Sequence, residues 1–280
     1  MTALPNPILE PIVRLALSED LGRAGDITSL ATIDPNLEVE WLIRTRAPGV
    51  LAGLDAAALT MALIDPQARF EPLVEEGSTI EAGQNLVRLT GRALSILAAE
   101  RVMLNFMGHL SGVASLTAHY VAAIAGSKAK ISCTRKTSPG MRALEKKAVS
   151  LGGGSNHRFG LDDAILIKDN HVAAAGGITQ ALTRAKANVG HLMPIEVEVD
   201  SLAQLEAALP LNPTCIMLDN FNLVDLRRAV ALVGGAVVLE ASGGVNLTTV
   251  AAIAATGVDV ISVGALTHSA PCLDLGLDAA

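Results

Sequence analysis

The spacing of hydrophobic and polar positions changes near residue 110, and the change divides the chain into two styles. Before it, short runs of period two are cut by turn residues. Residues 39–45 alternate, Pro48-Gly49 interrupts, and 50–54 resume. Glu76-Gly77 and Ala82-Gly83 then punctuate the chain ahead of 86–89, which closes on Gly91. Period two bounded by glycine and proline predicts antiparallel or mixed strands. Residues 55–64 read as a helix with Asp55 as its N-cap. From about 129 the pattern becomes apolar run, polar tip, helix, repeated. The runs fall at 129–133, 164–167, 194–199, 214–218, 236–239 and 258–263, and helical spacing covers 141–150, 178–188, 201–209, 222–233 and 247–255. Strand–helix alternation with short loops predicts parallel βαβ units. Six such units point to a barrel, and an open doubly wound sheet fits the same pattern.

Between the two styles lies an uncharged stretch, 102–127, long enough to cross a bilayer. Its Asn105, His109, Ser111, Thr117, His119 and glycines mark instead a helix buried in a soluble protein. The N-terminus lacks a basic n-region and has Glu10, Pro11 and Arg14 early, so no signal peptide is expected. The segment 75–91 resembles half of a biotinyl/lipoyl-type hairpin, but it contains no lysine that could carry a cofactor.

Composition narrows the function. Half of the residues are hydrophobic, which secures a core and excludes disorder. Six aromatics in all, and a net charge of −7, argue against nucleic-acid binding, which needs stacking platforms and a basic surface. Cys133, Cys215 and Cys272 have no CxxC spacing and leave an odd thiol, which fits the reducing cytoplasm. No GxGxxG follows the first strand and no Walker A motif exists, so a dinucleotide-binding domain is not expected. Zinc motifs and a GxSxG elbow are absent too, which argues against a zinc site and a covalent nucleophile.

Candidate chemistry collects where the apolar runs end. The tips carry Thr134-Arg135-Lys136, Lys168-Asp169-Asn170, Glu198 and Asp200, Asp219-Asn220, Glu240 with Ser242-Gly243-Gly244, and Ser262 to Gly264. In a parallel barrel these ends share one rim, where active sites are built. Residues 134–168 hold seven cations against three carboxylates, within an acidic chain. Such a local excess points to a small anionic ligand. Arg142, Lys146 and Lys147 lie at helical spacing and read as a solvated helix face. Arg135, Lys136, Arg158 and Lys168 sit in loops or strand ends and are the better ligands. Gly152-Gly153-Gly154 would let backbone approach a ligand closely. Ser242-Gly243-Gly244 before the helix at 247, and Gly264 after the last strand, suit phosphate on helix N-terminal amides or tight turns alone. In 195–200 alternation puts Glu196, Glu198 and Asp200 on one face, where cations or a metal must offset their repulsion. Glu198 and Asp219 could serve as hard Mg²⁺ ligands or as acceptors for sugar hydroxyls, or simply as ion-pair partners of interior lysines. His109, His119 and His191 read as structural, while His157, His171 and His268 lie beside site candidates.

The block 134–171, TRKTSPGMRALEKKAVSLGGGSNHRFGLDDAILIKDNH, resembles the signature of the quinolinate phosphoribosyltransferase family. ERVMLNFMGHLSG (100–112), EVEVD (196–200), MLDN (217–220), EASGG (240–244) and ISVGALTHS (261–269) resemble its remaining motifs in order. One departure is Ser138, where threonine is more usual. The resemblance covers nearly the whole chain. It implies an N-terminal α/β sandwich over 1–110, an incomplete, about seven-stranded α/β barrel over 111–270, and a tail over 271–280. It also implies a pentosyltransferase that joins quinolinate to phosphoribosyl pyrophosphate in NAD biosynthesis, releasing pyrophosphate and CO2 and forming nicotinate mononucleotide. Mg²⁺ would be needed, no organic cofactor, and no nucleic acid or membrane. Arg135, His157, Arg158 and Lys168 would hold quinolinate's carboxylates, with Arg101 contributed across the interface of a homodimer or larger assembly. Thr134 and Lys136 would meet the substrates' anionic groups. Glu198 and Asp219 would bind ribose hydroxyls and Mg²⁺. Ser242, Gly243, Gly244, Ser262, Gly264 and His268 would line the phosphate region. Lys136, Lys168, Glu198 and Asp219 are the expected catalytic set. The rivals are a molybdenum-associated paralogue acting on another acceptor, which usually lacks the KDNH stretch intact here at 168–171, and a non-catalytic barrel that binds phosphorylated metabolites.

Overall fold

The computed structural model describes residues 4–279. Its elements run α1 (Asn6–Leu21), α2 (Ile27–Thr32), β1 (Glu38–Thr45), β2 (Gly49–Val50), α3 (Leu54–Ile64), β3 (Arg69–Pro72), β4 (Thr79–Ile80), β5 (Asn85–Arg92) and the long α4 (Ala93–Ala123). Then follow β6 (Lys130–Ser132), α5 (Arg142–Leu151), β7 (Ile165–Ile167), α6 (Asp169–Ala175), α7 (Ile178–Asn188), β8 (Ile195–Val199) and α8 (Leu202–Ala208). The chain finishes with β9 (Cys215–Asp219), α9 (Leu223–Val233), β10 (Val238–Ser242), α10 (Val250–Ala254), β11 (Val260–Ser262), α11 (Ala265–His268) and β12 (Leu275–Ala279). Two compact units form: one from 4–118, 137–153 and 267–279, the other from 119–136 and 154–266.

The first unit is built on an antiparallel sheet of order β12-β1-β5-β3, beside a two-stranded β2-β4 pair. Ile43 of β1, with Leu86, Val87 and Leu89 of β5, meets Met61 of α3 and Ile96, Met103 and Met107 of α4 in one buried cluster. The uncharged stretch forms much of α4 and uses its buried serines internally, while Asn105 and His119 are exposed. Ser111 Oγ accepts the Ala52 N–H at 2.9 Å and Ser115 Oγ accepts the Val50 N–H at 2.8 Å, so buried backbone of the β2 segment is satisfied from the helix. Among the described residues no helix is long and apolar enough to cross a membrane.

Three local expectations are corrected here. Asp55 does not cap α3. Gly53, at φ +93°, occupies the cap, and the Asp55 carboxylate turns to Lys147. The strand expected at 50–54 ends at Val50, because α3 begins at Leu54. Nor do β4 and β5 form a hairpin, since β4 pairs with β2 and β5 lies between β1 and β3.

The second unit is a parallel sheet of order β6-β11-β10-β9-β8-β7. Its first strand in sequence pairs with its last, Ile131 opposite Ile261, which curls the sheet toward a barrel and away from an open doubly wound order. On the other side of β6, Ser155 adds a single parallel bridge to Ser132, its N–H donating to the Ile131 carbonyl at 2.7 Å. Six strands and this one-residue rung make an incomplete α/β barrel. Alternation sets the layers: Ile195, Val197 and Val199 of β8 are buried on one side, while Glu196 and Glu198 point to the other.

Candidate active site

Because every strand of the second unit runs the same way, their C-terminal ends share one rim, and most of the expected site residues are found there. Thr134, Arg135 and Lys136 follow β6 and Lys168 follows β7 as the N-cap of α6. Glu198 lies near the end of β8, while Asp219, Ser242 and Ser262 are the last residues of β9, β10 and β11. Gly243, Gly244 and Gly264 lie just past them. Arg101, exposed on α4, and His268, whose Nδ1 lies 2.7 Å from the Ser269 hydroxyl, belong to the first unit.

Two of the expected carboxylates have side-chain partners. Lys168 Nζ donates to Glu198 Oε2 at 2.9 Å, and Asp219 Oδ2 accepts the Asn220 side-chain amide at 2.8 Å. Lys168 is held by α6, a helix that the alanine-rich 172–175 run and Gly176 (φ +86°) could have revealed. The Arg158 guanidinium donates from Nη1 to the carbonyl of Ala164, just ahead of β7, at 2.8 Å. The Nε atoms of Arg135 and Arg158 are buried without a hydrogen-bond partner. Burial, and then the charge of Arg135, hold Arg158 below its ordinary pKa, against the pull of Glu196 and Asp163. Two arginines that keep buried, orphaned Nε donors are arranged for an anion.

The three carboxylates of β8 do not converge. Glu198 takes Lys168, Asp200 lies beyond the strand and is exposed, and Glu196 takes His157. His157 Nε2 is 2.9 Å from Glu196 Oε2 and 3.8 Å from Glu240 Oε1, while His157 Nδ1 accepts the Arg158 N–H at 2.8 Å. Glu240, in the middle of β10, is pushed up to about 7 by burial and then by Glu196, with His157 pulling it down. Glu196 and Glu240 stand among the polar strand residues of the sequence, but neither has a binding or catalytic role assigned there. A glutamate inside the apolar run 237–241 was the available signal. These three side chains are close enough to share a cation, but a backbone donor on Nδ1 leaves the imidazole proton on Nε2, so that nitrogen offers no lone pair to a metal. The Cys215 thiol, donating to Glu196 Oε1 at 3.5 Å, is driven far above its usual range by burial and the neighbouring carboxylates, and is no nucleophile.

Several glycines and lysines serve packing. A Cβ on Gly152 would lie 2.3 Å from the Ala114 carbonyl oxygen, so the triple glycine lets α5 end against α4. One on Gly243 (φ +91°) would meet Asn220 Oδ1 at 2.2 Å. Helix α10 begins only at Val250, after a turn in which Asn246 Oδ1 accepts from Thr248 and Thr249, so the amides of 243–244 are not a helix N-terminus. The expected solvated face of α5 is also overturned. Lys146 and Lys147 are buried, and Lys147 Nζ donates to Asp55 at 2.7 Å and Glu76 at 2.5 Å. Their neighbour Glu145, fully buried, binds His109 Nε2 at 2.8 Å and the Ser138 N–H at 3.1 Å.

A partly closed parallel barrel that carries an ion-paired carboxylate on its rim, together with two arginines whose Nε donors are buried and unpartnered, defines a protein of the α/β-barrel class built for small anions. Models of the N-terminal and C-terminal domains of quinolinate phosphoribosyl transferase match residues 26–111 and 113–278. The chain belongs to that family. It is 47% identical over 271 residues to the nicotinate-nucleotide pyrophosphorylase [carboxylating] of Mycobacterium leprae, covering 95% of each chain. It is 41% identical to the probable enzyme of that name from Synechocystis, covering 99% of this chain and 95% of the relative. The solved nicotinate-nucleotide pyrophosphorylase of Francisella tularensis superposes with a TM-score of 0.95 at 40% identity, over 99% of this chain and 98% of that one.

Proposed function

We propose that the chain transfers phosphoribosyl from phosphoribosyl pyrophosphate to quinolinate, giving nicotinate mononucleotide, pyrophosphate and CO2. The observation that carries this reading is the Arg135–Arg158 pair with its buried, unpartnered Nε donors, a receptor for adjacent carboxylates on a planar ring. Lys168 supplies further positive charge, and Arg101 of a second subunit completes the pocket in a homodimer. Lys136, Thr134, Ser242, Gly243, Gly244, Ser262, Gly264 and His268 meet the phosphate groups. The quinolinate ring nitrogen attacks C1′ and pyrophosphate leaves with the C1′–O electron pair. The resulting cationic ring accepts the electron pair as the adjacent C–CO2 bond breaks, and that carbon takes up a proton. No organic cofactor is required. Glu198 and Asp219, carboxylates on the tips of neighbouring strands, favour positive charge developing on the ribosyl carbon. As hard oxygen donors they also suit Mg²⁺, which usually takes only one or two carboxylates besides substrate phosphates. When bound, the ion neutralises pyrophosphate charge. We assign the enzyme to the cytoplasm, where its three free thiols stay reduced.

The test is direct. Purified protein with quinolinate, phosphoribosyl pyrophosphate and Mg²⁺ should form nicotinate mononucleotide, and omission of any one should stop it. Binding of both ligands without product would refute the reaction and favour another acceptor base or a metabolite sensor.

A further inference from the structure

The strand tip that carries Asp219 continues into a residue with an unusual backbone. Asn220 has φ +55°, in the left-handed region that favours glycine, and among the described residues only Asn212 shares this as a non-glycine residue. Asn212 lies ahead of β9, at the opposite end of the strand. The Asn220 turn is used by both neighbouring tips. Its N–H donates to the Ser242 carbonyl at 2.9 Å, which carries the β9–β10 pairing one residue beyond Asp219 and Ser242. Its side-chain Nδ2 donates to Asp219 Oδ2 at 2.8 Å. Its Oδ1 faces Gly243, where a Cβ would lie 2.2 Å away, so the β10 tip needs glycine at that position. An amide can set only its nitrogen against a carboxylate, because its oxygen would be repelled, so Asp219 also fixes which way the amide is turned. One side chain thus links the carboxylate tip of β9 to the glycine tip of β10. The turn by itself would be better served by glycine, which adopts this φ without steric cost.

We propose that Asn220 is a positioning residue for the phosphoribosyl substrate. It acts through Asp219: by engaging Oδ2 it turns the carboxylate so that Oδ1 meets the ribose, and it does not itself touch the reacting atoms. The inference rests on the activity proposed above, and it adds a residue that the resemblance leaves without a role. What position 220 needs is a side-chain donor on a left-handed backbone. Asparagine supplies both, whereas glycine supplies only the backbone and aspartate offers an acceptor in place of the donor.

Two substitutions separate the donor from the turn. Asn220→Gly keeps the left-handed backbone and the room beside Gly243 but removes the amide, so its melting temperature should stay native. It should lower kcat/KM for phosphoribosyl pyrophosphate about tenfold, the low end of the usual cost of losing an orienting partner, while quinolinate bound alone keeps its dissociation constant within about twofold. Asn220→Asp keeps the shape but sets an acceptor of like charge against Asp219, so its loss should be larger, about 100-fold. Calorimetric binding of nicotinate mononucleotide, which carries the ribose but needs neither turnover nor Mg²⁺, should weaken in the same order. An Asn220→Gly protein with native kcat/KM and native nucleotide binding would overturn the proposal, because the turn would then be all that position 220 provides. So would an equal loss of quinolinate affinity, the mark of a general disturbance of the rim. A native protein that binds nicotinate mononucleotide but does not form it from quinolinate would defeat the assigned reaction, and the nucleotide binding of the variants would still decide the role of Asn220.

Discussion

Replacing Lys147 by methionine isolates the buried ion triad of the first unit. The Lys147 side chain is 7% exposed, and its partners Asp55 and Glu76 are 10% and 18% exposed. The substitution keeps the aliphatic stem of α5 and removes only the ammonium, so two carboxylates from α3 and the β3–β4 connection face each other without a cation. Breaking a buried pair from one side costs about 3–5 kcal/mol, because the remaining charge is desolvated and unpaired. Glu76 keeps the Gly53 N–H at 2.8 Å, and Asp55 keeps the Ala56 N–H at 2.9 Å, which places the loss toward the lower end. A destabilisation of about 3 kcal/mol lowers the melting temperature by roughly 6–12 °C in a chain of this size. Scanning calorimetry on native and variant protein reads this directly, and adding Asp55→Asn and Glu76→Gln to the variant should recover part of it. Burial opposes the charge on Lys147, but its hydrogen bonds to Asp55 and Glu76 outweigh that and hold its pKa above the ordinary 10.5. A raised folded pKa means the contribution is fully present below 10.5 and is lost only as pH rises through the higher folded value. The gap between native and variant should thus persist at neutral pH and close in strong alkali. A loss under about 1 kcal/mol, the worth of an exposed pair, would refute the reasoning and return Lys147 to solvent.

Three further outcomes are expected. Lys168→Ala should lower product formation by about 10²–10³-fold while leaving the melting temperature nearly unchanged, since Lys168 is half exposed and its pair with Glu198 adds little stability; near-normal turnover would remove it from the site. Gly152→Ala should cost about 1–3 kcal/mol in urea denaturation, because its Cβ would press on the Ala114 carbonyl and Thr117 at a backbone φ that any residue can adopt; equal stability would show that α5 ends loosely. Asp65 is held below its ordinary 3.8 by the Ser95 hydroxyl and the Arg92 guanidinium. Its stabilisation is present above 3.8 and lost as pH falls through the lower folded value, so the advantage of native protein over Asp65→Asn should shrink below pH 4 in acid titrations followed by circular dichroism.

What the sequence determined was whatever depends on neighbours along the chain. The βαβ rhythm gave the parallel sheet, helix α7 falls at 178–188 as its spacing requires, and the polar strand tips fall on one rim because parallel strands leave no other place for them. The 134–171 block indicated the family before any fold was known. What only the tertiary structure decided was which charges are in water and which atoms have partners. Lys147 looks solvated in its helix because the groups that bury it, Asp55 and Glu76, are 92 and 71 residues away. The same distance effect draws 137–153 into the first unit, and turns Gly152 from a ligand-approach candidate into a packing contact. Glu196, close to His157, is hidden in the same way, since it lies on another strand and only folding brings its Oε2 within 2.9 Å of Nε2. Periodicity records the side a residue presents. Burial and hydrogen bonding depend on what the rest of the chain brings to that side, and that is settled only when distant segments pack.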